Sequence, residues 1–109
     1  MSYRVIVRPE AQLELGQAFD WYESQSDGLG LEFLLATQAA QESLKRNPEL
    51  YQKSYRDIRK ALIQRFPFAI FYTCSKEIIF VLAVYHASRN PAALKDKLKS
   101  RRKDSKTET

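Results

Sequence analysis

Hydrophobic and polar positions alternate at the start of the chain, where Tyr3, Val5 and Val7 are set against Arg4 and Arg8, a period of two that predicts a half-buried strand. Pro9 ends it. Proline suits the first position of a helix, where its missing N–H is not needed, and Glu10 favours the positive end of the helix dipole. A helix is predicted to about Gln25, with Ala11, Leu15, Ala18, Phe19 and Tyr22 on one face at a 3.6-residue period.

Ser26-Asp27-Gly28-Leu29-Gly30 has the composition of a tight connection, so a second helix starting near Leu31 folds back on the first. Its apolar residues fall on two stripes. Leu31, Leu34, Leu35 and Ala39 form one, Phe33, Thr37, Ala40 and Leu44 the other, and the expectation is that it touches both the sheet and the first helix. Asn47-Pro48 ends it, because the residue before proline avoids helical angles. Leu50-Tyr51 reads as one further turn.

From Ile58 the period changes. Ile58 to Gln64 mixes Arg59 and Lys60 with Ile58, Leu62 and Ile63, as a strand with one wet face does. Phe68 to Cys74 and Ile78 to Tyr85 are nearly all apolar and read as strands near the middle of a sheet, joined by a loop at Ser75-Lys76-Glu77. After Pro91 a short helix is predicted from Ala92 to Lys99, then a polar, mobile tail. The expected fold is α+β: two layers, with an N-terminal strand, a helical hairpin, a three-stranded antiparallel meander and a C-terminal tail. Residues 1–94 would form one domain and residues 95–109 a basic tail.

At 109 residues there is room for one core, burying roughly two thirds of the unfolded surface. Six Tyr, six Phe, one Trp and only three Gly favour a packed globule over a disordered chain. The net charge of +5 is unevenly spread. Residues 1–52 hold four Lys/Arg against eight Asp/Glu, whereas residues 53–94 hold seven against two and residues 95–109 seven against three. A basic half beside an acidic helical half suits an acidic partner, nucleic acid or acidic peptide. The lone Cys74 excludes an internal disulfide. The longest apolar run, Ile78 to Tyr85, is far short of the roughly 20 residues that span a bilayer. A cytoplasmic protein is expected.

One His and one Cys exclude the commonest zinc sites, and neither a glycine-rich phosphate loop nor a Ser nucleophile with its base is present. No cofactor is expected. The remaining constellation is Arg56, Arg59, Lys60, Arg65, His86 and Arg89, with Tyr72 and Tyr85 nearby in sequence as core aromatics. Such a set can be read as a binding surface for an acidic partner. It can also be read as a ribonuclease, in which Arg59, Arg65, His86 and Arg89 supply the base, the acid and the phosphate cations. His86 has a structural reading too, as a hydrogen-bonded residue joining strand end to tail.

The stretch from Arg56 to Tyr72, with its Arg65-Phe66-Pro67-Phe68 turn, followed by Ile78 to Tyr85 and His86-Ala87-Ser88-Arg89-Asn90-Pro91, resembles the C-terminal half of toxins of the RelE/ParE superfamily. The element order matches as well. The resemblance implies a toxin of a type II toxin–antitoxin, plasmid-stabilising module, neutralised by a cognate antitoxin that wraps it with a segment folding on binding. In the RelE branch, ribosome-dependent mRNA nucleases, the strand after this turn opens with a basic residue and an aromatic hydroxyl follows in the C-terminal segment. Here those places hold Phe68 and Leu94, which draws the chain to the ParE branch, whose members inhibit DNA gyrase by binding and need no catalytic residue. A non-toxic interaction domain of the same fold is the remaining alternative.

Overall fold

The computed structural model describes the backbone of residues 3–107 and the side chains of residues 3–103. The order is β1 (Arg4–Val7), α1 (Pro9–Gln25), α2 (Leu29–Arg46), β2 (Lys53–Tyr55), β3 (Ile58–Leu62), β4 (Phe68–Ser75), β5 (Ile78–His86) and α3 (Pro91–Thr107). The five strands form one sheet in the order β1-β5-β4-β3-β2. β1 runs parallel to β5, with Arg4 opposite Ile78 and Val7 opposite Val81, and the other neighbours are antiparallel. β2 was not expected, since its three residues Lys-Ser-Tyr carry no apolar alternation. It pairs with β3 as the sheet's outer edge.

The helical hairpin closes through glycine. Gly28 has φ +86°, which only glycine adopts without cost, and the chain enters α2 at Leu29, two residues earlier than the composition suggests. The Glu23 carboxylate accepts the N–H groups of Gly28 at 3.0 Å and Gly30 at 2.9 Å, satisfying donors that a helix start leaves open. A Cβ on Gly30 would lie 2.8 Å from the Phe19 ring, so the two helices touch there because that side chain is missing. Only one stripe of α2 is consequently buried. Phe33, Thr37 and Leu44 face the sheet, whereas Leu31 and Leu35 are more than half exposed. α2 therefore touches both the sheet and α1, as its two apolar stripes lead one to expect, but among the described residues Leu31 and Leu35 on the outer side have nothing packed over them.

Between hairpin and sheet lies the main core, built from Ala11, Ala18, Tyr22, Phe33 and Leu44 against Ile70, Tyr72, Ile79 and Val81. Burial of each large side chain stabilises by about 1.5–3 kcal/mol. The far face of the sheet is also apolar, with Ile58, Ala69, Phe71, Phe80 and Leu82 buried, and α3 lies on it through Leu94 and the fully buried Leu98. The short helix expected from Ala92 to Lys99 thus continues to Thr107, so the segment expected as a mobile tail is helical as far as the structure describes it, and the helix adds a third layer to the two that were expected. Glu108 and Thr109 lie outside the described residues. Arg101 donates to Glu14 Oε1 and to the Leu82 carbonyl, both at 3.0 Å, and Arg102 grips Asp57 in a two-pronged pair. Two leucines four residues apart among lysines suggest a short helix but not what covers it. They dock because the sheet offers them an apolar face.

Tyr72 fixes the chain that leaves α2. Its ring is fully buried and its hydroxyl donates to the carbonyl of Pro48. Burial pushes the phenol up to about 12. The folded protein therefore keeps a proton that the unfolded chain releases near pH 10, so this contribution is complete below pH 10 and is lost as pH rises towards 12. Tyr72→Phe is expected to lose about 1–3 kcal/mol at pH 8, because the Pro48 carbonyl is left buried without its donor. It should also flatten the fall in stability above pH 10. Urea unfolding of both proteins at pH 8 and pH 11 checks this, and equal pH dependence would contradict it.

Candidate functional site

The Arg65-Phe66-Pro67-Phe68 turn is built by packing. Ile63 N–H bonds to Phe68 O at 2.9 Å, Phe66 N–H to Ile63 O at 3.3 Å, and Ala87 N–H to Pro67 O at 2.8 Å, which ties the turn to the end of β5. Arg65 holds φ +72°, a left-handed conformation that the surrounding bonds impose. Phe66 and Phe68 then enter a ring cluster with Tyr22 and Phe33, at centroid distances from 4.9 to 6.1 Å, mostly edge to face. The His86 ring stands edge to face with Phe68 at 5.4 Å. Downstream, Asn90 caps α3 by accepting Ala93 N–H at 3.1 Å, and Pro91 opens the helix. Both quoted motifs are thus explained as architecture.

Pro67 lines a groove on either side. The one beside α2, about 1460 Å³, runs between that helix and β3. Leu35, Ala39 and Leu62 form its apolar walls, with Leu35 and Leu62 more than half exposed, while Arg46, Lys53, Lys60 and Arg65 give it a basic lining. Glu32 is the one acidic residue in that lining, and Arg65 reaches it at 3.6 Å. The other is a cleft of about 520 Å³ between α1 and the end of β5. Its lining includes Trp21, Tyr85, His86, Arg89 and Lys97, with Glu14. His86 Nδ1 accepts Ser88 N–H at 3.3 Å and lies 3.2 Å from Ser88 Oγ, so the ring's proton belongs on Nε2. Lys97 Nζ sits 4.8 Å from the centre of the Tyr85 ring. Glu14 Oε1 accepts from Val84 N–H and Arg101; Oε2, without a hydrogen-bond donor, lies 3.9 Å from Lys97 Nζ.

The six residues singled out from the sequence do not converge. Lys60 and Arg65 line the groove beside α2, and His86 and Arg89 line the cleft beside α1. Arg59 lines neither, because its guanidinium donates to the carbonyls of Glu49 and Tyr51 and staples the loop before β2. Arg56 lies in the β2–β3 turn at φ +53°, with its guanidinium 5.4 Å from the Tyr55 ring centre. Phe68 and Leu94 are both packers, Phe68 in the ring cluster and Leu94 on the far face of the sheet. Sequence reasoning missed Trp21, which falls off the apolar face of α1 and is 59% exposed. A tryptophan at an outward helical position was the available signal. Among the described residues no three His, Cys, Asp or Glu side chains could hold a metal ion, and burial pushes the Cys74 thiol up, away from the reactive thiolate.

Arg59 and Arg65 should separate in a stability measurement. Arg59→Ala is expected to cost about 1–2 kcal/mol, since two loop carbonyls lose a charged donor. Arg65→Ala should change stability by less than about 0.5 kcal/mol, because its side chain is 69% exposed and its pair with Glu32 is long. Chemical denaturation of the two variants decides it; equal losses would contradict the structural role given to Arg59.

No curated protein sequence matches this chain significantly. Among solved structures it is similar to a chain from the chromosomal ParDE toxin–antitoxin system of P. aeruginosa, with a TM-score of 0.68 and 14% identity, covering 80% of this chain and 98% of that one. That likeness concerns the fold. The profile of the ParE toxin of type II toxin–antitoxin systems, parDE, matches residues 5–91, from within β1 to the first residue of α3. On that match over most of its length, the chain belongs to the ParE toxin family.

Proposed function

We propose that this protein is the toxin of a type II toxin–antitoxin module, acting in the cytoplasm, that arrests growth by binding a protein target, DNA gyrase being the target the family resemblance implies. A cognate antitoxin neutralises it. The observation that carries the reading is the groove beside α2: exposed leucines on its walls and four basic side chains against one acidic one fit an acidic amphipathic segment that folds as it docks. Lys60 and Arg65 are the contacts it assigns, and Arg56 lies in the turn between β2 and β3.

The reading needs no catalytic residue, and the packing supports it over mRNA cleavage. The nuclease set would be Arg59, Arg65, His86 and Arg89, yet Arg59 is engaged by loop carbonyls and Arg65 lines a different groove from His86 and Arg89. Phe68 and Leu94 serve the cores on the two faces of the sheet. Among the described residues no helix is long and apolar enough to cross a membrane.

Induced expression is expected to stop growth, and co-expression of the short open reading frame beside the gene to restore it. Lys60→Glu with Arg65→Glu should weaken antitoxin binding at least tenfold and leave cells arrested despite the antitoxin. His86→Ala should keep most of the toxicity, whereas a histidine acting as acid or base would lose about 10²–10⁴-fold in rate. Inhibition of gyrase supercoiling by the purified protein would support the implied target. Ribosome-dependent mRNA cutting that disappears in a folded His86→Ala protein would overturn the reading.

A further inference from the structure

The cleft beside α1 differs in chemistry from the groove beside α2 and is not needed for antitoxin docking. Its walls are aromatic and cationic. Trp21 is 59% exposed, with its indole edge to face with Tyr22 at 5.1 Å. Arg89 is exposed on the turn between β5 and α3, and no acidic partner is found for it among the described residues. Lys97 lies over the Tyr85 ring, within 3.9 Å of Glu14 Oε2. His86 has its Nδ1 occupied by Ser88, which leaves Nε2 as a donor. The one carboxylate, Glu14, is mostly buried and already matched by Arg101 at 3.0 Å.

We propose that this cleft binds one unstacked nucleotide, its base on the Trp21 face and its phosphate on Arg89, Lys97 and the Nε2–H of His86. Three features favour that class. A volume of about 520 Å³ suits a ligand of nucleotide size. An exposed indole is a surface on which any base can stack, and stacking of this kind is tolerant of sequence. Cations placed beside such a ring supply the phosphate contacts that an acidic peptide would satisfy without needing the indole. The same chemistry is offered by a free nucleoside monophosphate and by one residue of a single strand. Adjacent phosphates of a strand would add contacts along the exposed Arg89 side, so the single strand is expected to bind more tightly.

Trp21 is the only tryptophan in the chain, so its fluorescence reports the cleft directly. The full-length protein is titrated at low salt with deoxythymidine hexamer, with thymidine monophosphate, and with a glutamate-rich peptide of matched charge. Saturable quenching by the hexamer, weakened by added salt and at least tenfold weaker in the Arg89→Ala/Lys97→Ala double variant, is the expected result. Monophosphate quenching as tight as the hexamer's would keep the site and make free nucleotide its ligand. Trp21→Ala, followed by the anisotropy of a labelled hexamer, should lose about 5–150-fold in affinity, the worth of one stacked base. Circular dichroism establishes that each variant is folded. The proposal is overturned if no saturable change appears up to millimolar nucleotide, if the acidic peptide quenches as strongly as the hexamer, or if folded double variants bind the hexamer unchanged.

Discussion

Much of this fold depends on what happens where β1 stops. β1 pairs with β5 only as far as Val7 opposite Val81, with a last bond from Arg8 N–H to Val81 O, because Pro9 then turns the chain into a helix. The second half of β5 would then present an open backbone edge in the middle of the molecule, an arrangement that costs about 1–3 kcal/mol for each buried group left unpaired. Two side chains take the place of the missing strand. Glu14, in the second turn of α1, accepts Val84 N–H at 3.1 Å, and Arg101 of α3 donates to Leu82 O at 3.0 Å. They also pair with each other at 3.0 Å, both nearly buried, so neither charge is left without its counterpart. One ion pair therefore joins α1, β5 and α3. The cleft lined by Trp21, His86 and Arg89 lies between elements that this pair holds apart and in register.

The aromatic turn at Arg65 to Phe68 does the corresponding work on the other side. Phe66 and Phe68 anchor it to Tyr22 and Phe33, and Pro67, between them, lines both grooves. The same four residues thus give the family resemblance and separate two surfaces of different chemistry. The groove beside α2 is apolar and basic, and the cleft beside α1 is aromatic and basic. Two faces of different chemistry can receive two different partners, since one partner need not mimic the other.

The sequence made the helices legible because Pro9, the glycines of the hairpin and a 3.6-residue period all agree. It made β4 and β5 legible because strands buried on both faces must be apolar throughout. β2 was hidden because an edge strand of three polar residues has no pattern to detect. The start of α3 was legible after Pro91, but its full length and its docking were hidden for a different reason: the docking rests on Leu94, Leu98 and two arginines whose acidic partners, Glu14 and Asp57, lie 87 and 45 residues away. The basic residues of the site were visible as a composition shift, but charge alone does not reveal direction. Arg59 points into a loop and Arg65 away from it, and only the fold distinguishes them. Trp21 was missed, although a tryptophan out of phase with the apolar face of its helix was a signal to be read.

Amide hydrogen exchange at Val84 tests most directly whether side chains substitute for the missing strand. In the native protein Val84 N–H is expected to exchange as slowly as Phe80, which lies where β1 and β5 are paired. In Glu14→Ala, Val84 should exchange at least tenfold faster relative to Phe80, since its acceptor is gone while the ladder below it remains. Unchanged protection of Val84 relative to Phe80 in that variant would contradict the account.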